Sequence, residues 1–462
     1  MRDPLEITTT ASESRDRADE RAEATAPFVF LALHCDMPLL GGARYRLADL
    51  HEVVFGRGST RAATREETAD GRVLTIRLPG NFVSRVHARL LRVQSSWVLV
   101  DNDSRNGTFV NGKRITRATL ADGDIFECGR TLFVFRAART SPPEAQADRE
   151  DLQTGPLATL LPELEASHQR LAALARSPLP MLLLGESGSG KEVVANTVHQ
   201  LSQRSGSFVA MNCAAIPRGL LESQLFGHVK GAFSGAVRDE LGYFRAANEG
   251  TLFLDELGDL PLPSQAAFLR ALEEGAVVPV GTTRPVPVDV RIIAATNRPL
   301  QDLVVEGAFR ADLLARLAGF THRLLPLRER IEDLGSIIAA LVPKLGPDGP
   351  VTFTPEAGRR LIAHEWPLNI RELRHVLASA IVVANGAPIG VEHVAPSLAS
   401  AITLRADPPP STDPDFKARL AASLGTHHGN VAAVARAFGK APAQIYRWLK
   451  QHGLDADDFR ER

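Results

Sequence analysis

Three rhythms of apolar and polar positions divide the chain. From about Pro27 to Ala137, short apolar runs are broken by Gly, Asn and Asp. They are Phe28-Val29-Phe30-Leu31, Val53-Val54-Phe55, Val73-Leu74-Thr75-Ile76, Ala88-Arg89-Leu90-Leu91-Arg92-Val93, Trp97-Val98-Leu99-Val100 and Leu132-Phe133-Val134-Phe135. Runs of this length, closed by turn residues, predict short strands and an all-β sandwich. Beyond, a helical stretch from Leu157 to Ala175 leads into Leu182-Leu183-Leu184 and, later, Thr251-Leu252-Phe253-Leu254. These read as buried parallel strands of an α/β domain. Near the C-terminus, Asn430 to Gly439 reads as an amphipathic helix with Asn430 as N-cap and Gly439 ending it; Pro442 opens a second helix carrying Ile445 and Leu449. The segments between are polar or Pro-containing. The expected organisation is a flexible tail (1–26), a β domain (27–137), a linker (138–155), an α/β domain with a helical end (156–400), a second linker (401–414) and an all-α end (415–462).

Composition narrows the classes. With 462 residues and 44% hydrophobic content, the chain can bury the cores of about two to four domains. A formal net charge of -1 gives no overall pull toward nucleic acid, so any DNA contact needs a local patch. Phe416 to Gly453, with six Lys/Arg and no Asp/Glu, is such a patch. Cys35, Cys128 and Cys213 show neither metal spacing nor an even disulfide set, which suits a reducing compartment. No apolar stretch reaches about 18 residues and no signal-like core opens the chain. The expectation is a soluble, cytoplasmic protein without a membrane partner.

Candidate chemistry begins immediately after Leu184. In Gly185-Glu186-Ser187-Gly188-Ser189-Gly190-Lys191-Glu192, the glycines let successive backbone N–H groups turn toward an anion at a helix N-terminus, and Lys191 adds a charge for the outer phosphates. Gly185 to Lys191 fits G-x-x-x-x-G-K, yet Glu192 stands where a Ser or Thr usually helps hold magnesium. The metal then needs another ligand. Asp255 and Glu256 follow the second apolar run, at the carboxyl end of a strand, where open α/β sheets bind ligands. Asp255 suits Mg2+, and Glu256 suits polarising the water that attacks the γ-phosphate of ATP.

The β segment carries Gly56-Arg57-Gly58, Ser84-Arg85-Val86-His87 and Asp103 to Gly112 in its loops. This set resembles the forkhead-associated (FHA) domain, a reader of phosphothreonine peptides. Arg57 and Arg85 can give charge-assisted bonds to a phosphate, Ser84 a hydroxyl, and Asn106 an amide to the peptide backbone. A sandwich kept for contacts without phosphate binding is the alternative; Asn106-Gly107 and Asn111-Gly112 are also good hairpin turns. The ligand would be a phosphothreonine protein or a phosphorylated segment of the chain itself.

Between the two α/β motifs lies Phe226-Gly227-His228-Val229-Lys230-Gly231-Ala232-Phe233-Ser234-Gly235-Ala236. A glycine-rich loop with one aromatic builds a poor core and a good projecting contact. Here the chain resembles the AAA+ domain of sigma-54-dependent transcriptional activators, whose signature loop is Gly-Ala-Phe-Thr-Gly-Ala. The resemblance implies that Gly231, Ala232, Phe233, Ser234, Gly235 and Ala236 contact sigma-54, and that ATP turnover in a ring, a hexamer by family likeness, remodels the closed promoter complex. It further implies that Asn212 restrains Glu256, that Thr296-Asn297 senses the γ-phosphate, that Arg310 and Arg316 reach a neighbour's site, and that Arg371 is a second sensor. Four residues depart from the family pattern: Ser234, Val229, Arg245 and Leu368. The C-terminal helices resemble a Fis-type helix-turn-helix. Ala443, Gln444, Arg447 and Trp448 would face the major groove, and Lys440 and Lys450 the phosphates.

The fold expected is multidomain: an all-β FHA sandwich, an α/β AAA+ P-loop ATPase with an α-helical lid, and an all-α helix-turn-helix. The function expected is an ATP-dependent activator of sigma-54 RNA polymerase, bound to upstream DNA and regulated through phosphothreonine. The alternatives are a phosphothreonine-reading scaffold ATPase that leaves sigma-54 alone, and a nucleotide clamp without turnover.

Overall fold

Thirteen strands open the fold: β1 (Thr25–His34), β2 (Ala43–Arg46), β3 (Leu50–Arg57), β4 (Ala62–Thr68), β5 (Gly71–Leu78), β6 (Ala88–Val93), β7 (Ser96–Asp101), β8 (Thr108–Val110), β9 (Lys113–Ile115), β10 (Arg117–Thr119), β11 (Ile125–Cys128), β12 (Thr131–Thr140) and β13 (Asp148–Arg149). They pack as two sheets, ordered β13-β2-β1-β12-β11-β8-β9 and β10-β7-β6-β3-β5-β4. The computed structural model describes residues 25–140, 148–150, 155–347, 349–400 and 416–427, together with Val434, Phe438, Trp448, Leu449, Leu454 and Phe459. Alternation sends Val29, Leu31, Phe133 and Phe135 into the sandwich with Phe55 and Phe126. Phe126 stacks on Phe133 at 4.9 Å, and Phe55 meets both edge-on.

The opposite face of the same two strands is covered as well. Phe28 and Phe30 pack on Leu160, Leu161 and Leu164. Ala32, Leu33, Leu132 and Val134 share a core with Leu334, Ile338, Phe353, Ala357 and Leu361 of the helical lid. This two-sided burial is why β1 is apolar without interruption rather than alternating.

The α/β domain contains β14 (Met181–Leu184), β15 (Phe208–Asn212), β16 (Thr251–Asp255), a small ribbon of β17 (Ala276–Val277) and β18 (Val286–Pro287), β19 (Arg291–Thr296) and β20 (Phe320–Arg323). Its parallel sheet runs β15-β16-β19-β14-β20, with an apolar core on each face. Parallel register sets Leu184 beside Thr296 and Asn212 beside Asp255. The carboxyl ends of β14, β16 and β19 thus form one edge. The lid follows as helices Leu334–Leu341, Pro355–Ile362, Asn369–Ala384 and Val391–Ser400.

The stretch 138–155, expected as a linker, is partly sheet. β12 continues to Thr140, β13 pairs with β2, and Glu150 accepts from Tyr45 Oη at 2.9 Å and Ala63 N at 3.1 Å. Its polarity reflects long-range ion pairs, such as Arg149 with Glu165. The first strand also begins at Thr25, inside the expected tail.

Residues 402–462 form a second compact unit. Helix Phe416–Thr426 buries Phe416, Leu420 and Leu424 with Val434, Trp448 and Leu449. Trp448 is packed edge-on against Phe416 at 5.0 Å, so it is a core residue rather than a groove contact. Lys440, Ala443, Gln444, Arg447 and Lys450 lie outside the described residues, as do the helix-ending positions Asn430, Gly439 and Pro442. Among the described residues, no helix is long and apolar enough to cross a membrane.

Candidate functional site

Between β14 and helix Lys191–Ser202, the loop 185–190 takes the backbone that its glycines permit, with Gly188 at φ +75° and Gly190 at +103°. Lys191 is buried, its Nζ donating to the carbonyls of Gly185 (3.1 Å) and Glu186 (3.2 Å) inside the loop. Ser189 is buried too, and its Oγ has no hydrogen-bond partner among the described residues. An orphaned hydroxyl and an ammonium inside one anion-shaped loop fit a phosphate group. Glu192 is exposed on the first turn of the helix.

Asp255 closes β16, and Glu256 follows with φ +52°, a left-handed backbone that a non-glycine residue rarely adopts. Asp255 Oδ1 accepts from Glu256 N at 3.0 Å. Burial raises the Glu256 carboxyl above its ordinary value, Asp255 and Asp259 add to the rise, and Lys191 together with the backbone N–H of Asn297 opposes it. A carboxylate of raised basicity suits orienting a water. Among the described residues, no group of three His, Cys, Asp or Glu could cage a metal. A divalent ion at Asp255 would therefore depend on nucleotide phosphates, as Mg2+ commonly does.

Thr296 is fully buried, accepting from Gly185 N through its carbonyl (3.2 Å) and from Arg298 N through its hydroxyl (3.0 Å). Thr296 and Asn297 thus contact the phosphate loop and Glu256. Asn212 sits beside Asp255, but its Oδ1 caps the turn at Ala214 (2.9 Å) and Ala215 (3.3 Å). Among the described residues it makes no hydrogen bond to Glu256; the capping geometry turns that oxygen toward its own chain.

Arg310 precedes helix Ala311–Leu317 and Arg316 lies in its last turn, both on the surface. Arg310 pairs with Asp312 at 2.7 Å, and Arg316 reaches the Leu272 carbonyl at 3.5 Å. Neither touches the phosphate loop of its own chain among the described residues. Buried Gln265 fixes the segment, accepting from Arg310 N (2.8 Å) and donating to the carbonyls of Leu260 (2.7 Å) and Ala308 (3.1 Å). The lid closes over the loop: Arg371 Nη1 donates to Ser187 Oγ at 3.0 Å.

Three lid-side residues were not singled out in the sequence. Asn369 is buried at φ +57° and donates to Glu186 Oε2 and to the Ser187 carbonyl, both at 3.1 Å. Arg328 grips Glu186 through two hydrogen bonds, 2.9 and 2.6 Å, which holds that carboxyl below its ordinary value. Arg330 lies buried 3.4 Å from the Ser189 carbonyl. The available signal was a glutamate within the phosphate loop, whose charge calls for a cationic partner beside an anion site.

The loop Gly231–Ala236 is closed by Gly231 N to the Ala236 carbonyl at 2.8 Å, and Gly231 and Gly235 adopt positive φ. Phe233, 37% exposed, rests on His228 at 4.9 Å. Of the departures, Val229 N pairs with the Val280 carbonyl at 3.1 Å, and Arg245 braces the carbonyls of Leu241 (2.7 Å) and Glu240 (2.9 Å). Both support the loop base.

In the sandwich, Arg57, Ser84, Arg85 and Asn106 converge. Arg57 N donates to the Ser84 carbonyl (2.9 Å), Ser84 Oγ accepts from Arg105 N (3.1 Å), and Asn106 Nδ2 donates to the Phe82 carbonyl (2.8 Å). Beneath them buried His87 accepts from Ser84 N at 3.1 Å; its other ring nitrogen lies 3.1 Å from the Gly107 carbonyl. Arg57 and Arg85 are exposed and have no ion-pair partner among the described residues.

Comparisons agree with these three regions. Residues 158–322 match the family model of the sigma-54 interaction domain, 53–129 that of the FHA domain, and 328–408 that of an AAA+ ATPase lid domain. The acetoin catabolism regulatory protein of Cupriavidus necator is 41% identical over 314 residues, covering 64% of this chain and 47% of that protein. The anaerobic nitric oxide reductase transcription regulator NorR of Aeromonas hydrophila is 39% identical over 353 residues, covering 70% of this chain and 69% of that protein. The chain thus spans about half the length of one relative and over two thirds of the other. Among solved structures, NtrX from Brucella abortus in complex with ATP shares 29% identity over 63% of this chain and 68% of its own, with a TM-score of 0.48.

Proposed function

This chain belongs to the family of transcription regulators that carry a sigma-54 interaction domain, and on that premise we propose that it is an ATP-driven activator of sigma-54 RNA polymerase. The observation that carries the proposal is the placement of the Phe233 loop on the same α/β domain whose sheet edge gathers Lys191, Asp255 and Glu256. Lys191 and the loop amides grip the phosphates of ATP, while Asp255 holds the magnesium that neutralises them. Glu256 orients the attacking water. Arg310 and Arg316 act on a neighbouring subunit's nucleotide, since a rigid, always-charged fork stabilises charge developing on the transferred phosphoryl group. Arg371 and Thr296-Asn297 report the state of the γ-phosphate. The site is completed by a second copy, which makes the active form an oligomer, a hexamer by family likeness.

Arg57, Ser84, Arg85 and Asn106 read a phosphothreonine, from another protein or from a phosphorylated segment of this chain. The basic C-terminal segment, with Lys440, Ala443, Gln444, Arg447 and Lys450, binds upstream DNA through a Fis-type helix-turn-helix.

The test is in vitro transcription from a sigma-54 promoter with purified protein and ATP, beside the ATPase rate. Open complexes that vanish in Phe233→Ala while hydrolysis persists support the activator. Vigorous hydrolysis without open complexes, with phosphothreonine ligand and cognate DNA supplied, would put a scaffold ATPase in its place.

A further inference from the structure

One seven-residue segment, Leu327 to Asp333, touches both the phosphate loop and the FHA sheet. On the nucleotide side, Arg328 holds Glu186 by two hydrogen bonds and Arg330 reaches the Ser189 carbonyl. Leu327 N donates to Asn369 Oδ1 at 2.7 Å. On the FHA side, the Glu332 side chain is wholly buried, and its Oε1 accepts from Arg136 Nε (2.6 Å) and Arg139 Nη2 (2.7 Å), both on β12. The neighbouring Asp333 accepts from Leu160 N at 2.6 Å and Thr159 Oγ1 at 2.9 Å. Ile331 and Leu334 sit in the apolar core shared with Leu132 and Val134. Gly335 lies so close to the Ala32 carbonyl of β1 that a Cβ there would overlap it.

A buried carboxylate is tolerated only where cations compensate it, and its position follows theirs. Glu332 has two such cations, and both belong to the FHA sheet. It lies two residues from Arg330 and four from Arg328, so a shift of its carboxylate is carried directly to the guanidiniums against the phosphate loop. Arg139 and Arg136 are otherwise paired with Glu163 (3.1 Å) and Asp122 (3.3 Å) at the rim.

We infer that Arg136 and Arg139 are positioning residues for nucleotide binding: through Glu332 they fix the segment that sets Arg328 and Arg330 against the phosphate loop. The FHA domain is then a working wall of the motor rather than a tethered sensor. By linkage, anything that moves β12 changes ATP affinity, and ATP changes the FHA domain by the same factor. This inference rests on the ATP-binding reading above.

The test uses the full chain, a fluorescent ATP analogue for Kd, and steady-state hydrolysis for KM and kcat. Arg139→Ala is expected to weaken analogue binding about tenfold, within the usual range of site-to-site coupling, and to raise KM far more than it lowers kcat. Arg139→Lys, which keeps the charge, should recover most of the loss. In a double-mutant cycle, Arg139→Ala should cost less in an Arg328→Ala background than in wild type, because one of the two arginines it acts through is already gone. Circular dichroism at the assay temperature guards against unfolding, and Glu332→Gln, of unchanged size, repeats the measurement if Arg139→Ala does not fold. Variants that lose thermal stability yet bind the analogue within twofold of wild type, or effects that multiply in the cycle, would overturn the inference. A wild-type chain that binds no analogue would instead sink the ATP-binding reading itself.

Discussion

The carbonyl oxygen of Leu368, at the entrance to the lid helix, lies where a side chain on Gly188 would have to go; a Cβ there would overlap it and come within 2.9 Å of the Arg371 Cβ. Lid and phosphate loop therefore fit only because residue 188 has no side chain. Gly188 also holds φ +75°, which costs an L-residue roughly 1–3 kcal/mol. Gly188→Ala is expected to lower the melting temperature by several degrees and weaken ATP binding at least tenfold, read by calorimetry and analogue titration. Wild-type affinity in that variant would show that the lid does not rest on the loop in solution.

Glu256 separates binding from turnover. Its carboxyl, raised by burial, makes no hydrogen bond to the phosphate loop among the described residues, so Glu256→Gln should leave ATP affinity within about threefold and lower kcat about a hundredfold or more, the range for loss of a general base. Lys191→Ala should instead lose affinity. The same loss of affinity in both variants would count against the division of roles.

Arg310 is exposed and, among the described residues, pairs only with Asp312. Subunits carrying Arg310→Ala, mixed with subunits carrying Glu256→Gln, should recover a measurable share of ATPase activity, because some interfaces then combine an intact arginine with an intact glutamate. An inert mixture, at concentrations where oligomers are verified by light scattering, would place Arg310 outside the chemistry.

For the FHA site, Arg57→Ala and Arg85→Ala are each expected to weaken a phosphothreonine peptide by about tenfold, the loss of a charge-assisted bond. The unphosphorylated peptide should bind neither wild type nor variant. Fluorescence anisotropy against a phosphothreonine peptide library makes the measurement, and equal binding of both peptide forms would leave the sandwich a contact module.

His168 gives a pH dependence of defined sign. Burial pushes its imidazole down to about 4, against a weaker raising effect from the Leu157 carbonyl, while His322, Arg330 and Arg149 push it lower still. Nδ1 sits 2.7 Å from that carbonyl, with the His322 ring tilted against it at 5.5 Å. The unfolded chain thus takes the proton first, so stability is intact above pH 6.5 and is lost as pH falls from 6.5 toward 4, by about 3 kcal/mol at most. Asp333, raised to about 6 by burial, works against this over part of the same range. His168→Asn keeps a donor for Leu157, and the melting-temperature advantage of wild type over this variant should shrink between pH 7 and 4.5. An advantage that stays constant would mean His168 is not held neutral.

The chain by itself determined the parts that depend on local chemistry. The glycines of Gly185 to Lys191 take the tight turn they permit, Asp255 and Glu256 follow a buried strand at its carboxyl end, and Gly231 to Ala236 form a loop. Ser84, Arg85 and Asn106 stood out because they lie in loops between strands, and Arg57 because it closes β3 between two glycines. Only the tertiary structure decided what covers the outer face of β1 and β12. The unbroken run Phe28 to Leu33 signalled burial on both sides, but burial is non-directional, and nothing in an apolar run names its partner. The charges are the same case: Arg139 and Glu332 are 193 residues apart, and Arg139 fell in a stretch whose polarity read as a linker. An ion pair is specified by position in space. That is why the phosphate loop could be read from sequence, while its support by Asn369, Arg328 and the FHA sheet could not.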